Sequence, residues 1–254
     1  MIRVLLHGAG RMAGRVAEQL KGQADFELTA VVARTKPETD FGANWYASLQ
    51  DSAVSADLLI DFSLPGGPRL AADWCAGNGV AMLSGTTGLT DTDIQALKQA
   101  GLKVPVLWAS NLSPGVALVS ALVRQAAAVL GASANIKITD IHHQHKADAP
   151  SGTALSLAAA VMEGRSESLQ DLLDPQRLEN LAHDRDGELM FSSIREGEVV
   201  GEHTIRFELP DEVIEIRHKA LDRDVFASGA LQAGKWLVAQ QPGYYNTSDW
   251  LDLK

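Results

Sequence analysis

The sequence predicts an α/β fold in which a parallel-sheet domain is followed by a second domain of α+β type with a mixed sheet. In residues 1–112, short apolar runs alternate with helical patterns, as they do in βαβ units. From residue 113 onward, a long apolar helix precedes strands in which apolar and polar residues alternate. The composition agrees, because 46% hydrophobic and 21% charged residues are usual for a globular chain with a buried core.

The first half of the chain supplies the elements of the parallel sheet. Residues 2–6 predict the first strand, and residues 12–21 predict a helix with Val16 and Leu20 one turn apart. Further strands are expected at four mostly apolar runs, 28–32, 58–61, 80–83 and 104–108. Helices are expected between these runs at 68–77 and 91–100.

The second half begins with a helix that Ser113-Pro114 starts and Gly131 ends. The alternating pattern then predicts strands at 136–141, 189–194, 203–209 and 213–218. Two more helices are expected at 151–163 and 227–240, and no element is predicted for residues 167–185.

Charge and composition exclude several classes of protein. Lys plus Arg is 22 and Asp plus Glu is 32, so a net charge of −10 tells against nucleic-acid and anionic-membrane partners. The apolar stretch 116–130 contains Ser120, Arg124 and Gln125, so we expect a buried helix and no membrane span. The one cysteine, Cys75, allows neither an intramolecular disulfide nor a cysteine metal cluster. No signal peptide precedes the first strand, so we expect a cytoplasmic protein.

A glycine-rich loop lies between the first strand and the first helix. The pattern G-x-G-x-x-G/A is satisfied by Gly8-Ala9-Gly10-Arg11-Met12-Ala13. Gly8 allows a tight turn, Gly10 lets the backbone approach a pyrophosphate, and Ala13 lets the helix pack on the strand. The helix N-terminus then offers N–H groups to the phosphates, which favours a Rossmann-type dinucleotide-binding domain over a purely structural turn.

The end of the second predicted strand bears on the choice of dinucleotide. Sites that prefer NAD usually carry an acid there, which holds the ribose 2′-hydroxyl, but here the position is Ala33. Arg34, with Lys36 two residues later, is suited to pair with a 2′-phosphate. We therefore expect a preference for NADPH with NADH possible, unless both cations are simply solvated.

Two polar segments follow later strands, at the sheet edge where open α/β sheets bind ligands. They contain Gly85, Thr86 and Thr87 in the first, and Ala109, Ser110, Asn111 and Leu112 in the second. Both are suited to line a nicotinamide and its ribose, although either alone is also typical of a turn. Asp61-Phe62-Ser63 occupies a similar place with less support.

The densest chemistry lies in His142-His143-Gln144-His145-Lys146. Histidine titrates near neutral pH, and lysine donates protons and pairs with carboxylates. Ser151-Gly152-Thr153 then opens a helix whose hydroxyls and N–H groups are suited to a second anion. We expect a proton and dicarboxylate site here. The alternatives are a metal site, which Lys146 would disfavour and which we do not expect, and histidines satisfied by the backbone.

This segment and several others resemble the dihydrodipicolinate reductase family. Its signature corresponds to His142-His143-Gln144-His145-Lys146-Ala147-Asp148-Ala149-Pro150-Ser151-Gly152-Thr153-Ala154. Further motifs follow the family's order over nearly the whole chain: the Gly8 loop, Asp61-Phe62-Ser63, Gly85-Thr86-Thr87, Ser110-Asn111, Gly201-Glu202-His203-Thr204, and His218-Lys219-Ala220 with the helix that follows. The glycine loop is one residue shorter than in many members.

The resemblance implies an NAD(P)H-dependent reductase that converts 4-hydroxy-tetrahydrodipicolinate, a small cyclic dicarboxylate, to tetrahydrodipicolinate in lysine and diaminopimelate biosynthesis. His142 would be the acid/base residue and Lys146 the proton donor. The substrate carboxylates would be held by His143, Ser151, Gly152 and Thr153. The cofactor would be held by Gly8, Ala9, Gly10, Arg11, Met12, Gly85, Thr86, Thr87, Ala109, Ser110, Asn111 and Leu112, with Arg34 added for the 2′-phosphate.

The resemblance also implies the domain organisation and the assembly. The last helix would return to the first domain, giving a cofactor domain of residues 1–112 plus 223–254 and a substrate-binding and oligomerisation domain of residues 113–222. The protein would be a homotetramer. We expect His203 to be structural. Arg223 is suited either to reach a phosphate or the partner domain or to be a solvated charge, and neither residue is placed in the site.

Two other functions remain open from the residues alone. Another Rossmann-type oxidoreductase, such as a semialdehyde dehydrogenase, would need a cysteine nucleophile, and Cys75 lies within a helical pattern. A non-catalytic dinucleotide sensor would keep the glycine loop but would not need His142 or Lys146.

Overall fold

The computed structural model describes residues 1–52, 54–167 and 189–253 and shows two compact units. Unit 1 consists of Met1–Pro114 and Asp224–Lys254, and unit 2 of Gly115–Arg223. Apart from Glu167, the stretch 167–185, for which the sequence predicts no element, lies outside the described residues.

The elements are numbered here in chain order. The strands are β1 (Ile2–His7), β2 (Phe26–Val32), β3 (Asn44–Tyr46), β4 (Leu58–Asp61), β5 (Ala81–Ser84), β6 (Pro105–Trp108), β7 (Asn135–His142), β8 (Leu189–Arg195), β9 (Gly201–Glu208), β10 (Val213–Ala220) and β11 (Gly243–Tyr245). The helices are α1 (Arg11–Leu20), α2 (Gly67–Asn78), α3 (Asp91–Gly101), α4 (Pro114–Leu130), α5 (Gly152–Gly164), α6 (Asp224–Leu237) and α7 (Thr247–Leu251).

Unit 1 is built on a seven-stranded parallel sheet with the order β11-β6-β5-β4-β1-β2-β3. Helices cover both faces, which explains why its strands are continuous apolar runs. In β1, Val4 and Leu6 pack in a core with α1 and α6, whereas Leu5 packs in a second core with α2 and α3. The strand order reverses between β1 and β4, which is the point where doubly wound sheets bind ligands.

Unit 2 is built on a mixed four-stranded sheet with the order β10-β9-β7-β8. The β7–β8 pair is parallel, and β9 runs antiparallel to both β7 and β10. One face of this sheet packs against α4 and α5 through Val123 of α4, Leu157 of α5 and Phe207 of β9. The predicted α/β and α+β classes of the two parts are therefore confirmed.

Helix α4 differs from its prediction as a buried helix. Val123 and Ala127 are buried in the core, but Leu118 is 48% and Val129 is 85% exposed. The apolar span Pro114–Ser133 has a mean hydropathy of 1.6 and is 28% buried, and by length and composition alone it is sufficient to cross a membrane. Core helices of globular proteins pass the same test, and α4 packs on the unit 2 sheet in this way.

Three short elements were not predicted. Strands β3 and β11 are three residues long and lie at opposite edges of the unit 1 sheet. Helix α7 has five residues and is capped by Asn246. Such short segments carry too few residues to show a periodicity, and the edge strands form because β2 and β6 offer free backbone groups.

Candidate active site

The inner face of the unit 2 sheet is apolar at one end and polar at the other. Strand pairing places side chains in rows across the sheet. The two apolar rows are Leu189–Ile136–Phe207–Ile214 and Phe191–Ile138–Ile205–Ile216. The next row is polar, Ser193–Asp140–His203–His218, and beyond it Arg195 lies beside His142 and Gly201 beside Ala220. The predicted His142 thus belongs to a polar cluster that continues the hydrophobic core.

Asp140 is the centre of this cluster and was not predicted. Its carboxylate is fully buried and accepts hydrogen bonds from His142 Nδ1 (3.0 Å), Ser193 Oγ (2.6 Å) and Arg195 Nη1 (2.9 Å). Burial raises the pKa of Asp140, but the bonds from Ser193 and Arg195 outweigh it and hold that pKa below its usual value. Its position two residues before His142, on the same face of a strand, is the sequence signal that would have revealed it.

His142 ends β7 with its side chain largely buried. Burial and then the charge of Lys146 lower the pKa of His142, while Asp140 opposes them. With Nδ1 bound to Asp140, the proton of the neutral ring is fixed on Nδ1 and Nε2 is left as an acceptor. A Cβ at Gly201 would lie 3.2 Å from Nε2, so a glycine there keeps that nitrogen uncrowded.

His203, which the sequence predicts as a structural residue, packs against His142 in this cluster. It is 3% exposed, and its ring meets that of His142 edge-on with centroids 5.1 Å apart. Nε2 lies 3.1 Å from the hydroxyl of Ser151, and Nδ1 has no hydrogen-bond partner among the described residues. Burial and then the neighbouring His142 lower the pKa of His203 to about 4, so the ring is neutral at physiological pH.

Ser151 begins α5 and is almost completely buried. Its hydroxyl accepts the N–H of Ala154 at 3.2 Å as an N-cap, and its own proton is then available for His203. Gly152 and Thr153 follow in the first turn, with Gly152 exposed. The Ser151 hydroxyl therefore anchors the start of α5 to the histidine cluster.

His143 and Lys146 lie in the turn that follows β7. Lys146 Nζ is 2.8 Å from Asp148 Oδ1, and its side chain is 22% exposed. Burial raises the pKa of Asp148, but the bond and charge of Lys146 lower it further than that. Burial and then the charge of Arg223 lower the pKa of His143.

Arg195 connects this turn to the buried cluster. Its Nη1 donates to Asp140, and its Nη2 donates to the backbone carbonyl of Asp148 at 2.6 Å. The Arg195 guanidinium therefore holds both Asp140, which orients His142, and Asp148, which pairs with Lys146. Arg195 was not predicted, because only its strand position opposite His142 reveals it.

In unit 1, the glycine loop leaves β1 as predicted. Gly8 has a φ of +100°, and a Cβ there would lie 2.5 Å from the carbonyl oxygen of Phe62, so only glycine fits. Ala13 is buried against the core. Gly10 is the N-cap of α1 and receives no side-chain cap from the described residues, and a Cβ on Gly10 would meet none of their atoms within 4 Å. The uncapped helix start suits a phosphate group.

The other predicted cofactor residues follow β5 and β6. Thr86 is buried, and its carbonyl accepts the indole N–H of Trp108 at 2.9 Å. Ala109 is buried and its N–H donates to Ser84 at 3.1 Å, so the two segments are tied together. Among the remaining predicted cofactor residues, Leu112 is buried. The others are partly or fully exposed: Ala9, Arg11, Met12, Gly85, Thr87, Ser110 and Asn111.

Arg34 and Lys36 are both exposed after β2. Lys36, but not Arg34, lines a cavity of about 250 Å³ together with residues that include Val31 and Trp45. Cys75 lies on α2 with no exposure, and burial raises the pKa of its thiol well above the usual value. That thiol does not suit the nucleophile of a semialdehyde dehydrogenase. Among the described residues, no group of three His, Cys, Asp or Glu side chains has the geometry of a metal site.

Comparison with known proteins identifies relatives over the whole chain. The family model described as "Dihydrodipicolinate reductase, N-terminus" matches residues 2–112, and the model "Dihydrodipicolinate reductase, C-terminus" matches residues 115–251. The 4-hydroxy-tetrahydrodipicolinate reductase of Zymomonas mobilis is 41% identical over 249 residues, covering 98% of this chain and 96% of that protein. The enzyme of the same name from Caulobacter vibrioides is 36% identical over 256 residues, covering 100% and 98%.

Solved structures share the fold at lower identity. A dipicolinate-bound dihydrodipicolinate reductase from Paenisporosarcina sp. TG-14 has a TM-score of 0.76 and 22% identity, covering 98% of each chain. The DAP dehydrogenase of C. glutamicum, in complex with DAP, has a TM-score of 0.58 and 18% identity, covering 97% of this chain and 92% of that one.

Proposed function

The chain belongs to the dihydrodipicolinate reductase family, and we propose that it uses NADPH in preference to NADH and takes its reaction proton from Lys146. It reduces 4-hydroxy-tetrahydrodipicolinate with NAD(P)H in lysine biosynthesis. The substrate, NAD(P)H and one proton give tetrahydrodipicolinate, NAD(P)⁺ and water. The buried pair of Asp140 and His142 beside Lys146 is the observation on which the assignment of the site rests.

His142 acts as a neutral acceptor in this proposal. Asp140 holds the Nδ1 proton, so Nε2 presents a lone pair to the substrate, and the lowered pKa keeps the ring neutral near pH 7. Asp140 does not exchange this proton itself, because its own pKa is held low. The carboxylate instead fixes the tautomer and orientation of the ring, as acids do in other histidine sites.

Lys146 supplies the proton. Reduction of the ring leaves a neighbouring atom that needs one, and an ammonium group is a competent donor. Lys146 lies in the turn that directly follows His142, and its charge lowers the pKa of His142, which supports the placement of both groups at one ligand. If the Lys146 ammonium left Asp148 and paired with a substrate carboxylate, one ion pair would replace another.

The first turn of α5 and His143 hold the two substrate carboxylates in this proposal. Ser151, Gly152 and Thr153 form the start of α5, and an anion is favoured at the N-terminus of a helix. The relative from Paenisporosarcina binds dipicolinate, a ring with two carboxylates, which supports a ligand of this class.

The residues of unit 1 fit a dinucleotide. The open start of α1 suits the pyrophosphate, and the segments after β5 and β6 lie at the same sheet edge. When bound, NADPH supplies the hydride. Arg34 and Lys36 favour a 2′-phosphate, whereas Ala33 offers no acid to a 2′-hydroxyl. Replacing Arg34 by Ala should therefore raise the KM for NADPH and leave that for NADH unchanged.

The test of the reaction is NADPH oxidation with substrate made in situ from pyruvate and aspartate semialdehyde by the preceding synthase. The Lys146→Ala and His142→Asn proteins should lose kcat by about two orders of magnitude or more. Lys103→Ala and His145→Asn remove the same kinds of side chain at exposed positions and should retain activity.

The alternative outcomes separate the functions. NADPH binding without turnover by the wild-type protein would favour a dinucleotide sensor. Turnover that survives Lys146→Ala would show that another group supplies the proton. We also propose a cytoplasmic homotetramer, which light scattering coupled to gel filtration can test. The exposed Met190 and Ile194 on the outer face of the unit 2 sheet support an assembly through that face.

A further inference from the structure

Asp61 ends β4 with a fully buried carboxylate that the proposed reaction does not use. Its Oδ1 accepts from His7 Nδ1 at 2.9 Å and from the N–H of Ser63 at 3.3 Å. Its Oδ2 accepts from Ser84 Oγ at 2.7 Å and from Thr86 Oγ1 at 2.8 Å. Burial raises the pKa of Asp61, but the bonds from His7, Ser63 and Ser84 outweigh it, so the group is ionised.

The four donors come from segments at the carboxyl ends of three neighbouring parallel strands, β1, β4 and β5. His7 directly precedes Gly8 of the glycine loop. Thr86 lies in the middle of the segment that follows β5. The carboxylate therefore joins the two segments that are proposed to hold the cofactor.

The segment after Asp61 packs against the same two loops. A Cβ on Gly8 would lie 2.5 Å from the carbonyl oxygen of Phe62, and a Cβ on Gly85 would collide with the Phe62 ring. Both glycines are thus in close contact with the residue that follows Asp61. Movement of this segment would displace both loops.

An ionised carboxylate is a costly choice for this position. Strands buried on both faces are normally apolar, and a buried charge is often less stabilising than a hydrophobic residue of similar volume. A satisfied polar network does, however, fix orientation in a way that apolar packing does not. This favours a role in geometry rather than in stability.

We propose that Asp61 is a positioning residue that holds the glycine loop and the Gly85–Thr86–Thr87 segment in the arrangement that binds NADPH. The inference rests on the proposed function of these loops. It also assigns Thr86 a role different from a direct contact. The Thr86 hydroxyl is buried and bound to Asp61, so it anchors the segment, and the backbone faces the cofactor.

The test measures NADPH binding to the substrate-free protein by nucleotide fluorescence. Asp61→Asn and Thr86→Val should each raise the Kd by about tenfold, the equivalent of one lost hydrogen bond to a charged group. Thr86→Ser keeps the hydroxyl and should restore the wild-type Kd. The double variant Asp61→Asn/Thr86→Val should bind no worse than Asp61→Asn alone, because Asp61→Asn already disturbs the contact with Thr86.

Asp57→Asn is the control. Asp57 precedes β4, whose opposite end carries Asp61, and it accepts hydrogen bonds from Arg3 there. The control should lower the thermal midpoint without changing the Kd for NADPH, and Asp61→Asn should leave the KM for the dicarboxylate unchanged.

Three results would overturn the inference. Wild-type affinity in Asp61→Asn and Thr86→Val would show that the contact does not position the loops. A weaker affinity in Thr86→Ser together with wild-type affinity in Thr86→Val would mean that the methyl group matters and the hydroxyl does not. Wild-type protein that binds no NADPH would remove the proposed cofactor and the inference together. If Asp61→Asn does not fold, the Thr86 pair decides alone.

Discussion

His203 should make the stability of unit 2 depend on pH. Burial and then the charge of His142 lower its pKa from 6.5 to about 4, while Asp140 acts in the opposite direction and His218 and Lys146 add to the lowering. Between these two pH values the unfolded chain binds a proton that the folded chain does not. The stability contribution is therefore complete above pH 6.5 and is lost as the pH falls toward about 4.

The size of the effect follows from the shift. One pKa unit corresponds to about 1.4 kcal/mol, so His203 should account for a loss of roughly 3 kcal/mol across the interval. The His203→Gln protein lacks this titration, and its free energy of unfolding should vary less with pH by that amount. His145→Gln removes an exposed histidine of unit 2 and serves as the control for the loss of an imidazole.

The assay must report on unit 2 separately from unit 1. All five tryptophans lie in unit 1, so their fluorescence follows unit 1 unfolding in urea, whereas far-UV circular dichroism follows both units. These residues are Trp45, Trp74, Trp108, Trp236 and Trp250. The difference in pH dependence between the wild-type and His203→Gln proteins should appear in urea unfolding followed by dichroism, measured at a series of pH values between 4 and 6.5. Equal pH dependence in the wild-type and His203→Gln proteins would refute the reasoning, as would a ¹³C-histidine NMR titration of His203 with a midpoint near 6.5.

Three further substitutions test the geometry of the two units. Asp140→Asn should lower the free energy of unfolding by about 1.5–3 kcal/mol. It should also move the acid limb of the kcat/KM profile to lower pH, because Asp140 raises the pKa of His142. An acid limb that moves to higher pH would contradict this. Gly201→Ala should lower kcat/KM by about tenfold, because its Cβ would lie 3.2 Å from His142 Nε2, and unchanged kinetics would show that this nitrogen is not used. Gly8→Ala, with its φ of +100°, should weaken NADPH binding in calorimetry, whereas Gly14→Ala on α1 meets no described atom within 4 Å and should not.

The sequence predicts the regular elements well where a core fixes them. Strand β4 has the predicted bounds 58–61, because its four residues are all buried and the pattern is uninterrupted. Strand β5 begins one residue later than predicted, since Val80 is apolar and buried but precedes the ladder. Edge strands such as β3 are not predictable in this way, because their pairing partner, not their own composition, makes them strands.

The site is predictable only where its members are neighbours in the chain. His142 and Lys146 share one segment, and their chemistry is visible in the sequence. His203 contacts Ser151, which is 52 positions away, and alternation along β9 reveals its strand but not its partner. Asp61 shows the same limit, because its donors Ser84 and Thr86 are 23 and 25 positions away.

The register of the unit 2 sheet connects the core to the site. Ile138 pairs with Ile205 and Ile136 with Phe207, and this pairing in turn places His203 opposite Asp140. A shift of one residue in β9 would turn Arg206 and Glu208 toward the core and remove His203 from the cluster. Burying the unpaired charges of Arg206 and Glu208 would cost more free energy than burying the hydrogen-bonded side chains of the polar row. The apolar rows therefore fix the arrangement of the polar residues, so a substitution such as Ile205→Ala can disturb the proton site without touching it.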